Sequence, residues 1–146
     1  MTQKPAIFDC LYGGPASGKS ESIARLIEHV YRTTGKTARV CVGDGSAMYT
    51  IQSLWTMARE GLDVCVMIFS NREYKILYSQ LDSVGVPNPG PRAIDMLTLG
   101  RPAIDFAGMA KSLGMPSVQV HNLEELTTQL SNAMSQRGPF LIDVVM

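Results

Sequence analysis

Residues 43–71 read GDGSAMYTIQSLWTMAREGLDVCVMIFSN, and this stretch decides the fold of the chain. Residues 43–46 form a loop, residues 50–60 carry apolar side chains at helical spacing, and residues 64–69 are a continuous apolar run typical of a buried strand. Gly61 stands where a left-handed residue would end the helix. The predicted buried face of that helix is Ile51, Leu54, Trp55 and Ala58. Residues 39–42 lead into the loop as another strand, so the pattern predicts strand, helix and parallel strand.

An oxygen-bearing side chain follows each of these two strands, Asp44 after the first and Asn71 after the second. Parallel strands joined by a right-handed crossover end at the same edge of the sheet, so Asp44 and Asn71 are predicted to lie side by side. A carboxylate and an amide oxygen suit a hard divalent cation that keeps its other positions for water and phosphates. Gly43 and Gly45 flank Asp44 and would let a diphosphate approach the backbone amides.

Residues 1–42 carry a second phosphate-binding pattern. Residues 13–20 read GGPASGKS, between a predicted strand at residues 6–12 and a predicted helix. In a P-loop the backbone amides cradle phosphates, the lysine reaches the terminal phosphates and the serine hydroxyl binds magnesium. The candidate nucleotide-binding residues are Gly13, Gly18, Lys19 and Ser20, and the ligand would be ATP or GTP with Mg²⁺. A glycine-rich turn that caps a helix is the structural alternative.

The rest of the chain continues the alternation of helices and strands. Four prolines between residues 85 and 102 predict a long ordered loop without a regular element. The predicted elements are a short helix at residues 72–78, a helix capped by Asp105 and closed by Gly114, a strand at residues 117–120, a helix opened by an Asn122–Glu125 capping box, and a strand at residues 140–145. The predicted buried face of the last helix is Leu123, Leu126, Leu130, Ala133 and Met134.

Composition restricts the class of protein. The chain has 146 residues, enough for one domain over residues 1–146. The 13 basic and 13 acidic residues balance, so no electrostatic footprint for nucleic acid or an anionic membrane exists. Cys10, Cys41 and Cys65 lack metal-ligand spacing and are interpreted as small buried hydrophobes in a reducing compartment. No apolar run is long enough to cross a bilayer, and we expect a soluble cytoplasmic protein.

Several segments together resemble the C-terminal part of acetolactate-synthase-like thiamine-diphosphate enzymes, over residues 43–146. They are residues 43–49 (GDGSAMY), 54–61 (LWTMAREG), 69–72 (FSNR) and 138–142 (GPFLI). The family signature opens with Gly-Asp-Gly and closes with Asn-Asn at about this separation. Here Ser70 replaces the first asparagine of the closing pair, while Asn71 retains the second.

The resemblance implies thiamine diphosphate and Mg²⁺ as cofactors. It implies that Asp44 and Asn71 bind the metal through their side chains and Glu73 through its backbone carbonyl. It also implies cofactor contacts from Gly43, Gly45 and Ser46. The complete family members carry out carboligation or decarboxylation of 2-oxo acids, and their pyrimidine-binding domain supplies a glutamate that activates the aminopyrimidine ring.

Nothing before residue 43 resembles that pyrimidine-binding domain. We therefore interpret the chain as a magnesium-dependent thiamine-diphosphate-binding fragment, inactive alone, that self-associates or meets a partner subunit carrying the missing domain. Two alternatives stay open: a P-loop nucleotide-binding protein, and a fusion of the two pieces with neither activity. The expected fold is a three-layer, doubly wound α/β domain of about five mainly parallel strands with helices on both faces.

Overall fold

The computed structural model describes residues 37–146. Within that range four strands form one parallel sheet in the order β1-β2-β4-β3. The strands are β1 (Ala38–Gly43), β2 (Val64–Ser70), β3 (Ser117–Val120) and β4 (Phe140–Val145). The predicted strand at residues 6–12 lies outside the described residues, together with Cys10 and the P-loop candidates Gly13, Gly18, Lys19 and Ser20.

Helices connect the strands and cover the sheet. They are α1 (Asp44–Ala47), α2 (Ser53–Arg59), α3 (Lys75–Ser83), α4 (Pro91–Leu97), α5 (Phe106–Ser112) and α6 (Leu123–Ser135). In the part of the chain that the structure describes, no helix is both long enough and apolar enough to span a bilayer.

Successive side chains of β2 enter two separate apolar clusters, as a strand covered on both faces requires. One cluster packs the sheet against α2 and α5, and the other packs it against α6. The first includes Val64, Val66, Ile68, Leu54 and Phe106, and the second includes Cys65, Met67, Val120, Ala133 and Ile142. The predicted α/β architecture with helices on both faces is confirmed.

The helix after Asp44 differs from the prediction. Residues 44–47 form a short helix of their own and turns follow, so α2 begins at Ser53 and not at residue 50. Leu54 is buried as predicted, but the burial predicted for Trp55 is wrong, because half of this side chain is exposed. Trp55 lies on the outer face of α2, where the Arg59 guanidinium is 5.4 Å from its ring centre.

The segment predicted as one long loop contains a helix, so that prediction is wrong. Pro91 is at the start of α4, where its missing N–H has no intrahelical partner to lose. The helix predicted at residues 72–78 forms later, as α3. Both helices extend from the sheet as a hairpin, and α3 has no buried residue.

The predicted helix ends are confirmed where capping chemistry specifies them. Asp105 accepts a hydrogen bond from the Gly108 amide at 2.7 Å, and Asn122 accepts one from the Glu125 amide at 2.8 Å. Gly61 has a positive φ of 58° beyond α2. The burial predicted for Leu123 is wrong, because it is 71% exposed and α6 contacts the sheet only from Leu126 onward.

Candidate functional site

Asp44 lies at the edge of the sheet, directly after β1, and only 3% of it is exposed. Its Oδ1 accepts a hydrogen bond from the Gly45 amide at 2.8 Å, and its Oδ2 accepts one from the Arg72 amide at 2.6 Å. The carboxylate therefore joins the end of β1 to the loop that follows β2. The structure brings Asp44 beside the loop that contains Asn71, as the topology of a right-handed crossover predicts.

The loop after β2 presents two further oxygen atoms. Asn71 is half-buried, and its side-chain oxygen accepts a hydrogen bond from the Glu73 amide at 2.9 Å. Glu73 forms an isolated antiparallel bridge with Thr98. The bonds of this bridge run from the Tyr74 amide to the Leu97 carbonyl and from the Leu99 amide to the Arg72 carbonyl.

These bonds belong to the residues on either side of Glu73 and Thr98, so the bridge is a non-hydrogen-bonded pair. In such a pair the N–H and C=O of each residue point away from the opposite strand. The N–H of Glu73 reaches Asn71, and its carbonyl points to the same side. The Glu73 carbonyl thus faces the side of the loop where Asn71 lies.

The two glycines that flank Asp44 have different surroundings. A Cβ on Gly45 would lie 2.6 Å from Cδ1 and 2.9 Å from Cε1 of Tyr74, so the aromatic ring fills the space of a side chain. A Cβ on Gly43 would meet nothing within 4 Å. Gly43 and Ser46 are exposed. Gly45 therefore permits a packing contact, while Gly43 leaves open surface beside Asp44.

A cavity of about 230 Å³ adjoins Asp44 at the carboxyl edge of the sheet. One wall holds Asp143, a fully buried residue of β4. Asp143 accepts hydrogen bonds from the Ser70 hydroxyl at 2.6 Å and from the side-chain amide Nε2 of Gln119 at 2.9 Å. Sequence reasoning missed this group, although an aspartate inside the apolar segment of residues 140–145 was a visible signal.

The cavity is lined by three carboxylates, those of Asp44, Asp105 and Asp143, and by one basic side chain, that of Arg72. No ion pair to Asp44 occurs within residues 37–146. The same residues contain no group of three or more His, Cys, Asp and Glu side chains that would hold a metal ion.

The cysteines of the described strands have the small-hydrophobe character that the sequence indicates. Cys65 is buried in β2, and Cys41 is half-buried in β1. Burial, reinforced by the neighbouring Cys41 sulfur, raises the pKa of the Cys65 thiol to about 11. Cys65 therefore stays protonated and packs as part of the core.

The fold is a doubly wound α/β domain, with a glycine-flanked carboxylate at the carboxyl edge of its parallel sheet. In folds of this class, ligands bind at that edge. Residues 23–144 match the family model of the thiamine pyrophosphate enzyme, C-terminal TPP binding domain. The chain belongs to this family. The match begins upstream of residue 43, within the segment assigned by sequence to the P-loop unit. None of the comparisons supports nucleotide binding by a P-loop.

Two named relatives of the chain are an acetolactate synthase subunit and a decarboxylase. It is 48% identical over 103 residues to the protein named "Putative acetolactate synthase large subunit IlvX" of Mycobacterium tuberculosis, covering 70% of this chain and 20% of that one. It is 32% identical over 104 residues to benzoylformate decarboxylase of Pseudomonas aeruginosa, covering 70% of this chain and 18% of that one.

A similar solved structure is benzoylformate decarboxylase from Polynucleobacter necessarius, with a TM-score of 0.68 and 30% identity. The alignment covers 80% of this chain and 21% of that one. The chain thus spans about a fifth of the length of the proteins that it matches. It is a thiamine-diphosphate-binding domain of the acetolactate synthase and decarboxylase family, in which Mg²⁺ usually accompanies the cofactor.

Proposed function

We propose that Asp44, Asn71 and Glu73 hold Mg²⁺ together with the diphosphate of thiamine diphosphate, in an enzyme that acts on 2-oxo acids. The observation that carries this proposal is the buried Asp44 carboxylate, which accepts hydrogen bonds from the Gly45 amide and from the Arg72 amide of the loop after β2. Thiamine diphosphate, when bound, supplies the carbanion that adds to carbonyl groups. The residues of this chain hold the metal ion and position the diphosphate.

The donor set fits a magnesium ion. Asp44 supplies a charged oxygen whose burial, without an ion pair within residues 37–146, favours a cation beside it. Asn71 supplies an amide oxygen with a second lone pair available beyond its bond to Glu73. Glu73 supplies its carbonyl. Three protein oxygens leave positions for phosphate oxygens and water, which suits the octahedral preference of Mg²⁺.

The diphosphate is then expected on the exposed surface beside Asp44, where Gly43 leaves space and Ser46 is accessible. Gly45 contributes differently in this proposal. Its amide already donates to Asp44, and its missing side chain admits the Tyr74 ring. Gly45 therefore orients the metal-binding carboxylate and the loop around the cofactor.

The test is calorimetric titration of thiamine diphosphate in the presence of Mg²⁺ and in EDTA. Asp44→Asn keeps the side-chain shape but removes the negative charge, and magnesium-dependent binding should be lost. Asp82→Asn, an exposed site on α3, is the matched control and should bind as the parent does. Magnesium-dependent affinity that survives in Asp44→Asn would contradict the site assignment.

We also propose that catalysis requires a pyrimidine-binding domain from outside residues 37–146, which supplies the activating glutamate. The hairpin of α3 and α4 exposes apolar side chains, among them Ile76, Leu77, Val84 and Met96, with Met96 80% exposed. A surface of this kind is typical of an interaction site. The purified chain should self-associate in sedimentation experiments and should not consume pyruvate, and a monomer that turns over pyruvate would overturn this proposal.

A further inference from the structure

We propose that the guanidinium group of Arg72 binds the diphosphate of the cofactor and thereby sets the affinity of the site for doubly phosphorylated ligands. This inference rests on the proposed function and adds a residue to it. Arg72 lies between the two proposed metal-binding residues of the loop, Asn71 and Glu73.

The backbone at Arg72 has the conformation of a glycine. Its φ is 60°, and it is the sole non-glycine residue with a positive φ within residues 37–146. The left-handed region is unfavourable for a residue that carries a Cβ. An arginine at this position is therefore less favourable for folding than a glycine would be.

The loop does not need the arginine side chain to keep its shape. The Arg72 amide donates to Asp44, and the Arg72 carbonyl accepts a hydrogen bond from the Leu99 amide at 2.7 Å. Both contacts are made by backbone atoms that any residue provides. A backbone outlier retained at a binding loop, with a side chain that the fold does not use, indicates a role for that side chain in binding.

The surroundings of the Arg72 side chain leave its charge for a ligand. The side chain is exposed, and it passes Gly100, where an added Cβ would lie 3.9 Å from Cβ and 4.0 Å from Cδ of Arg72. It forms no ion pair with any residue from 37 to 146. Asp105 and Asp143, which line the same cavity, already accept hydrogen bonds from other donors.

Charge balance explains why a cation is needed here. A diphosphate held beside Asp44 brings two or more negative charges close to a cavity that three carboxylates line. A divalent cation compensates only part of this charge. The planar guanidinium offers parallel N–H donors that match phosphate oxygens, and Arg72 is the one basic residue among those lining this cavity.

The test compares Arg72→Gly, Arg72→Ala and Arg72→Lys with Arg92→Ala, an exposed arginine on α4 that serves as the control. Affinities for thiamine diphosphate and for inorganic pyrophosphate, each with Mg²⁺, are measured by calorimetry, and thermal unfolding is measured without ligand. Loss of a hydrogen bond to a charged group predicts affinities about 10-fold to 100-fold weaker for Arg72→Gly and Arg72→Ala. Arg72→Lys should lose less, and Arg92→Ala should lose nothing.

The two readouts should move in opposite directions for Arg72→Gly. Its affinity falls, while its unfolding temperature stays the same or rises because the positive φ no longer carries a Cβ. Unchanged affinity in Arg72→Gly, or weakened affinity only together with a lower unfolding temperature, would overturn the inference. Asp44→Asn separates the two proposals: if it abolishes magnesium-dependent binding while the Arg72 variants bind like the parent, only the role of Arg72 fails. A parent chain that binds neither ligand overturns both.

Discussion

The packing of Gly45 against Tyr74 makes a quantitative prediction. An added Cβ would lie 2.6 Å and 2.9 Å from two ring carbons, about 0.6–1.4 Å closer than an ordinary contact. The ring cannot yield freely, since the Tyr74 amide is bonded to the Leu97 carbonyl at 2.8 Å. Overpacking of this size costs about 1–3 kcal/mol, which the better helix propensity of alanine offsets by roughly 0.5–1 kcal/mol. Gly45→Ala should therefore lower the free energy of unfolding by roughly 0–2.5 kcal/mol in urea denaturation.

Gly43→Ala is the matched control, because the same methyl group would there meet nothing within 4 Å. Its φ of −75° is open to any residue, so stability should be unchanged or slightly higher. Tyr74→Ala supplies a second check, since in that background Gly45→Ala should cost nothing. Equal losses for the two glycine variants, or a Gly45→Ala penalty that persists without the ring, would refute the packing argument.

Three more outcomes are expected, one for Asp143 and two for Cys65. Asp143→Ala leaves the buried Ser70 hydroxyl without its acceptor and should lower the free energy of unfolding by about 2–3 kcal/mol, while the exposed Glu124→Ala should change it by less than about 0.5 kcal/mol. The Cys65 thiol should resist alkylation in the folded protein at pH 8, because its pKa is raised to about 11 from an ordinary 9.0. Folding disfavours the Cys65 thiolate, so the folded protein has its full stability from this group below about pH 9 and loses it as pH rises through 11. Cys65→Ala should therefore show a shallower loss of stability over that interval.

The sequence predicted the elements whose signals are local. The apolar run of β2 is continuous because both faces of the strand are covered, and the caps at Asp105 and Asn122 depend on side chains within three residues of the amides that they bind. Trp55 was misjudged because helical spacing defines a stripe but not its width, and only the position of the sheet excludes this residue from the core. The sequence did not predict the helix that begins at Pro91, because proline breaks a helix at interior positions. At the first position of a helix, however, proline is favourable.

The candidate site divides in the same way. The proximity of Asp44 to the Asn71 loop follows from the handedness of one crossover, which the sequence between them specifies. The contact of Asp143 with Ser70 and Gln119 joins three strands, and it depends on the order of those strands in the sheet. No local pattern contains that order. The left-handed backbone of Arg72 likewise results from bonds to Asp44 and Leu99, which are distant in sequence.

The isolated bridge between Glu73 and Thr98 closes the base of the hairpin formed by α3 and α4. Its two residues are about 4.5 Å apart, the usual Cα separation of such a pair, so the hairpin between them leaves the sheet and returns to nearly the same point. Residues 75–96 therefore leave the bridge after Tyr74 and return to it at Leu97, whose carbonyl accepts a hydrogen bond from the Tyr74 amide. In the proposed function, cofactor affinity resides at the base of this hairpin and subunit association at its tip, so evolution or design can change the length and the partner of the hairpin while the chemistry beneath it stays constant.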